Sequence, residues 1–247
     1  MLERALERAI DELPQNTLVR EMLAYHFGYA TADGARRGKR VRPHLVLCVA
    51  QAAGAPADDA LDAAVAIELL HNYSLIHDDI EDGDRLRHGR ETLWVKYGVA
   101  QAVNAGDALC AISFLSLLRA QKRHPAERVA AMVGRLHEAH LAMCHGQSLD
   151  IDFERHDRVS SQRYLEMIAG KTAALFGVAC ELGAMSAGLE QKACREYRQL
   201  GAAFGAAFQM YDDLLGIWAD LDTTGKTAGA DIARRKKSFP IVWALEG

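Results

Sequence analysis

The sequence predicts an all-α fold, and three observations carry that reading. Five segments, 60–82, 93–120, 126–148, 160–187 and 191–219, set apolar residues at three-and-four spacing, the period of a helix with one face turned to a core. No segment alternates β-branched residues over the length a sheet strand needs. Proline occurs only five times in 247 residues, while alanine and leucine dominate the long segments.

The elements follow in chain order. The N-terminal stretch MLERALERAIDELP is charged and amphipathic, with no apolar signal core or cleavage site. Gly38-Lys39-Arg40-Val41-Arg42-Pro43 sets three cations just before a helix whose first turn takes Pro43. In 60–76, Leu61, Ala64, Val65, Leu69, Tyr73 and Ile76 form one broad stripe. Gly54-Ala55-Pro56, the stretch Gly83 to Gly89, His124-Pro125 and Gly188 punctuate the helices. Segments 172–187 and 200–210 are apolar nearly all round, which predicts central helices. With no repeat, linker or low-complexity tract, residues 1–247 read as a single domain.

Composition sets limits on function. Half the residues are hydrophobic and a quarter charged, so the chain can bury a sizeable core without disulfides or a structural metal. A net charge of −4 excludes a strongly basic nucleic-acid footprint. No run of eighteen apolar residues occurs, so no integral membrane protein is expected. Cys48, Cys110, Cys144, Cys180 and Cys194 form no C-x-x-C pair and read as buried thiols, with the cytoplasm as the expected compartment.

Two acidic clusters end otherwise apolar helices. In Ile76-His77-Asp78-Asp79-Ile80-Glu81-Asp82, residues Asp78 and Asp82 stand four apart on one helical face and can chelate the same hard cation. The second cluster is Gln209-Met210-Tyr211-Asp212-Asp213, behind Phe204 and Phe208. Carboxylates in apolar surroundings repel one another unless a cation compensates, and an oxygen-only donor set favours Mg²⁺. A solvated helix end is the plain alternative for either pair taken alone. The cations are Lys39, Arg40 and Arg42; Arg85, Arg87 and Arg90; Lys226; and Arg234, Arg235, Lys236 and Lys237. Interleaved with Mg²⁺-type carboxylates, they suit a ligand with two negative groups, such as a diphosphate. Gly225-Lys226-Thr227 lacks the upstream glycine and strand of a nucleotide-binding P-loop. His77 reads as a hydrogen-bonded core residue; His71, seven residues before Asp78, shares its face.

In order, GKRVRP, HDDIED, RLRHGRETLW, GQSLDIDFE, GKTAALF, FQMYDDLL and TGKTAGADIARRKKSFP resemble the blocks of the trans-isoprenyl diphosphate synthases, the polyprenyl synthetase family, from about residue 36 onward. The resemblance implies an isoprenoid-synthase-type helical bundle around a central apolar cavity. It also implies Mg²⁺-dependent, head-to-tail condensation of isopentenyl diphosphate with an allylic diphosphate, with three Mg²⁺ per active site and a homodimer as the working form. Asp78, Asp79, Asp82, Asp212 and Asp213 would hold the metal; Arg87, Lys171, Lys226 and Lys236 would contact the allylic diphosphate. Lys39, Arg42 and His71 would bind isopentenyl diphosphate, with His88 beside them where the family has a second arginine. Thr172 and Gln209 would line the reacting centre, with Gln147 and Asp150 in the cavity wall. Tyr73 and Ser74, about one turn before Asp78, would form the floor that limits product length, favouring C20, then C15.

The sequence departs from the family at His88, at Glu91 in place of proline, and at Gly216 in place of a third aspartate. It stops at Gly247, which implies that the family's last C-terminal helices are absent. Two other functions stay open at this point. A class I terpene cyclase shares the aspartate motif but lacks the isopentenyl site that GKRVRP supplies. A non-catalytic partner subunit of a synthase is favoured by His88 and the early C-terminus, and opposed by the intact carboxylates. Segment 93–120, with Val99, Val103, Leu109, Ile112, Leu115 and Leu118, is the expected dimer contact.

Overall fold

A computed structural model describes residues 1–29, 38–218 and 236–246. The helices are α1 (Leu2–Asp11), α2 (Leu18–Phe27), α3 (Val41–Ala52), α4 (Leu61–Glu81), α5 (Leu93–Tyr97), α6 (Val99–Leu118), α7 (Ala126–Phe153), α8 (Ser161–Ile168), α9 (Ala174–Ser186), α10 (Gln191–Trp218) and α11 (Phe239–Glu246). The fold class is all-α, as the three-and-four spacing predicts. Its one small departure among the described residues is a hairpin of β1 (Leu86–Arg87) and β2 (Arg90–Glu91), paired antiparallel. The chain divides into two compact units, Met1–Val133 with Leu182–Leu189, and Gly134–Glu181 with Glu190–Gly247.

In the first unit α4 is the central element, packed on α6 and α3. Ala63, Ala64, Ala66, Ile67, Leu69 and Leu70 are all buried, so small and branched side chains let neighbours close on it. Gly106 of α6 is one such close approach: a Cβ there would lie 2.3 Å from Nε2 of His77. A buried polar network ties α1 and α2 to α4. Arg40, in left-handed backbone with φ +50°, pairs with Glu68 at 2.5 Å and with Glu3 at 2.9 Å. Asn72 donates to Glu68 at 2.9 Å and accepts from Nε2 of His26 at 3.1 Å. Removing either partner of a buried pair of this kind typically costs about 3–5 kcal/mol. Arg40 is thereby a structural cation, unlike its neighbour Arg42.

In the second unit the helices touch through glycines. A Cβ on Gly146 of α7 would fall 2.1 Å from the backbone nitrogen of Lys171, and one on Gly170 would fall 2.6 Å from the carbonyl of Ala142. Gly201 and Gly205 of α10 press in the same way on Phe176 of α9. Phe153, Val159, Tyr164, Met167, Ile168 and Val242 form a core cluster joining α8 to α11.

Several expectations are corrected. Segment 93–120 is broken at Gly98, whose φ of +84° no helix accepts. Segment 160–187 is interrupted by a π-helical turn over Ala169–Ala173. The 200–210 stretch is not central on every side: its glycines face inward while Leu200 and Phe204 are exposed. Only Cys180 and Cys194 are buried; Cys48 and Cys144 are exposed, and none of the five is in a disulfide. Among the described residues, two helical runs, Val99–Lys122 and Ser161–Ser186, have the length and composition to cross a membrane, but their most apolar stretches are 44% and 78% buried within the protein.

Candidate active site

The last turns of α4 separate three carboxylates by direction. Consecutive helical residues point about 100° apart, so Asp79 leaves the face that Asp78 and Asp82 share. Asp79 is buried and accepts three hydrogen bonds from Arg87: Nε at 2.9 and 3.0 Å, and Nη2 at 2.7 Å. Burial pushes its carboxyl above the usual range, and the Arg87 guanidinium pulls it back. Asp78 and Asp82 stay half-buried at a helix C-terminus whose last turn carries no basic residue. The helix dipole adds negative potential there, and Arg87 lies near enough to feel the Asp78 charge as well.

Arg87 is aimed by its hairpin. The turn residues His88 and Gly89 both have positive φ, +52° and +80°, the sign pattern of a type I′ turn. Histidine is among the residues enriched in that left-handed region. Arg90, opposite Arg87 in the register, donates to the carbonyls of Tyr25 (2.7 Å) and His26 (3.1 Å) at the end of α2. Tyr25 returns a bond to the carbonyl of Glu91 at 3.0 Å. Tyr25, His26, Asp79, Arg87 and Arg90 line one small pocket, while His88 stands exposed at the turn.

Two of the residues expected at an isopentenyl site meet. Arg42 Nη1 lies 3.1 Å from His71 Nε2. Arginine only donates, so His71 accepts and is neutral. Burial and the nearby Arg42, Arg87 and Arg40 hold its pKa well below 6.5. Lys39 is exposed. Tyr73 is half-buried, its ring 4.8 Å from that of His77, and the Ser74 hydroxyl turns back to the His71 carbonyl at 2.8 Å. His77, expected as a hydrogen-bonded core residue, is only partly enclosed: its side chain is 24% exposed, with Nε2 3.5 Å from the Val103 carbonyl and 3.6 Å from Asp107.

In the second unit the π turn carries Lys171 and Thr172, and such turns recur at functional sites. Lys171 forms an ion pair with Asp150. Thr172 donates to Gln209 Oε1 at 2.7 Å, and Gln209 Nε2 donates to Asp213 at 2.8 Å. Asp213 is buried, whereas its neighbour Asp212 is exposed. Tyr164 Oη also donates to Asp213, at 2.7 Å. Lys236 is half-buried; Lys226 lies outside the described residues. Tyr164 escaped the sequence reading, although a lone tyrosine hydroxyl on a buried helix face calls for a partner.

Among the described residues, no group of three or more His, Cys, Asp or Glu is gathered as a self-sufficient metal cage.

The polyprenyl synthetase profile matches residues 21–247. The chain is similar to the geranylgeranyl diphosphate synthase of Mycobacterium tuberculosis, 40% identical over 256 residues, covering 99% of this chain and 72% of the relative. It is 38% identical to a (2E,6E)-farnesyl diphosphate synthase of Mycobacterium bovis, covering 92% of this chain and 63% of that one. A crystal structure of a polyprenyl synthetase from Streptomyces coelicolor superposes with a TM-score of 0.90 at 40% identity, over 99% of this chain and 72% of the other. A polyprenyl synthase from Caulobacter crescentus, in complex with calcium and isoprenyl diphosphate, matches with a TM-score of 0.85 at 31% identity, over 99% and 71%.

Proposed function

Because the chain belongs to the polyprenyl synthetase family, we propose that it is a prenyltransferase joining isopentenyl diphosphate to an allylic diphosphate, with a short all-trans product of C20 or C15. The observation that carries the reading is the end of α4, where Asp78 and Asp82 share one face and Asp79 holds Arg87. Relatives named as geranylgeranyl and farnesyl diphosphate synthases support the product class.

The chemistry begins with loss of diphosphate from an allylic carbon, and the barrier is the negative charge that develops on the leaving group. Mg²⁺, when bound, offsets that charge as a Lewis acid. Asp78, Asp82 and Asp212 are the carboxylates we assign to it. Asp79, expected among five metal ligands, is assigned instead to orienting Arg87. Arg87, Lys171 and Lys236 add fixed positive charge toward the diphosphate, which strengthens as the C–O bond breaks. Arg42 and His71 bind the diphosphate of isopentenyl diphosphate, with neutral His71 orienting the arginine fork. Thr172 and Gln209, joined by a hydrogen bond, present dipoles rather than nucleophiles to a cation that water would quench.

Tyr73 stands five residues before Asp78, about 7.5 Å along the helix. A tail that grows along α4 past Asp78 and Asp82 has to pass that ring, a large and rather rigid obstacle, and on this reading the product is short. The proposed working form is a dimer through α6. Its Val99, Val103, Leu115 and Leu118 are exposed, whereas Leu109 and Ile112, expected on the same contact, are buried in the chain's own core.

The test is incubation with Mg²⁺, isopentenyl diphosphate and dimethylallyl, geranyl or farnesyl diphosphate, with products identified by mass spectrometry and the protein sized by light scattering. C20 or C15 diphosphates that vanish with chelator are expected. Absence of elongation from every starter, or cyclic hydrocarbons, would overturn the reading; a monomeric mass at micromolar concentration would remove the dimer.

A further inference from the structure

The two aspartates at residues 212 and 213 are adjacent in sequence and opposite in circumstance. Asp212 is exposed, while Asp213 is 9% exposed and accepts from three donors among the described residues. Its Oδ2 accepts the Tyr164 hydroxyl at 2.7 Å and the backbone N–H of Phe239 at 2.8 Å; its Oδ1 accepts Gln209 Nε2 at 2.8 Å. A carboxylate oxygen offers about two lone-pair positions, so Oδ2 is saturated by protein donors.

The Phe239 donor gives this arrangement its meaning. Phe239 opens α11, and its N–H is one of the groups that a helix N-terminus leaves without an intrahelical partner. Asp213 supplies that partner from 26 residues away, with a negative charge where the helix dipole favours one. Tyr164 locks the carboxylate from the other side. It is 1% exposed, its ring lies 6.0 Å from that of Phe239, and burial beside Asp213 drives its pKa upward, so it remains a protonated donor. Val242, one turn into α11, packs in the same cluster as Tyr164. Three residues of chain reach at most about 10 Å, so fixing Phe239 restricts where Lys236 can stand.

We propose that Asp213 and Tyr164 are positioning residues. Together they latch the start of α11 and hold Lys236 in place for the diphosphate, leaving Asp212 as the metal-binding member of the pair. This rests on the proposed prenyl transfer for the role of Lys236, but the latch stands on the hydrogen bonds alone.

The experiment pairs amide hydrogen exchange with steady-state kinetics on full-length Tyr164→Phe, Asp213→Asn, Asp212→Asn and Lys236→Ala proteins, with the double variant Tyr164→Phe/Lys236→Ala. Tyr164→Phe removes one oxygen and keeps the ring, so it carries the test if Asp213→Asn does not fold. We expect exchange in peptides spanning 239–243 to rise about tenfold in Tyr164→Phe, with peptides of α4 unchanged. KM for the allylic diphosphate should rise about tenfold, while KM for isopentenyl diphosphate and the Mg²⁺ concentration for half-maximal rate stay put. Tyr164→Phe should add little to Lys236→Ala, since both act through one contact. Asp212→Asn should shift the Mg²⁺ requirement and leave exchange at 239–243 alone. Unchanged exchange in Tyr164→Phe would overturn the latch, and so would a Mg²⁺ shift in Asp213→Asn equal to that in Asp212→Asn. Full additivity with Lys236→Ala would overturn the link to substrate. If the wild-type protein shows no prenyl transfer, the proposed function falls while the exchange measurements still decide the latch.

Discussion

Replacing Gly146 by alanine tests the closest backbone contact in the second unit. The new Cβ would sit 2.1 Å from the Lys171 nitrogen, 2.7 Å from the Gly170 carbonyl carbon and 2.8 Å from the Lys171 Cα. All three are main-chain atoms, so no side chain can swing aside, and α7 must move away from the π turn. Forced overpacking costs typically about 1–3 kcal/mol, and a backbone obstacle belongs at the upper end. Alanine's better helix propensity returns about 1 kcal/mol, leaving a net loss of about 2 kcal/mol. In a chain of this size that lowers Tm by about 4–8 °C. The displacement falls on Lys171, where a misplacement of about 1 Å can cost about a hundredfold in rate. Gly134→Ala is the control: it lies on the exposed side of the same helix with nothing within 4 Å of its Cβ, so the same change should raise Tm by about 2–4 °C. Calorimetry of the two variants, with kcat/KM for the allylic diphosphate, decides the matter. Equal Tm shifts, or an active and undisturbed Gly146→Ala protein, would refute the argument.

Asp78→Ala should fold normally and lose turnover mainly in kcat; more than about a tenth of wild-type activity at saturating Mg²⁺ would remove it from the metal set. Tyr73→Ala should extend the products to C25 and beyond, and an unchanged profile from a folded variant would make Tyr73 a packing residue only. His88→Arg should lower KM for isopentenyl diphosphate and leave the allylic KM nearly unchanged if the turn tip touches that substrate; both KM values staying fixed would exclude contact. His26, buried and held neutral by desolvation and Arg87, has its pKa lowered to about 3. The unfolded chain therefore binds the proton first, and stability falls as pH drops below about 6.5, with a slope of up to about 1.4 kcal/mol per pH unit. Buried Glu68 pulls the other way. Urea melts at pH 7 and 5.5 should thus show a shallower fall in His26→Gln than in wild type, and identical slopes would mean His26 is not held neutral.

The helical fold and both acidic clusters were legible in the sequence because each is a local property. A three-and-four stripe reports which face of a helix is buried, and an i, i+4 pair such as Asp78 and Asp82 shares a face in any helix long enough to hold it. What periodicity cannot report is which donor reaches which carboxylate. Asp79 and Asp213 look like their neighbours Asp78 and Asp212, and only the folded chain brings Arg87 to the first and Tyr164, Gln209 and the Phe239 N–H to the second. The same holds for Arg40 and Arg42, two residues apart: one is consumed by Glu3 and Glu68, the other meets His71. Tertiary structure also broke the helix at Gly98 and wound the π turn at Lys171. A residue's type and period set what it can do, but its partners come from elements distant in sequence. The division between holding the fold and serving the chemistry is settled only when those elements pack.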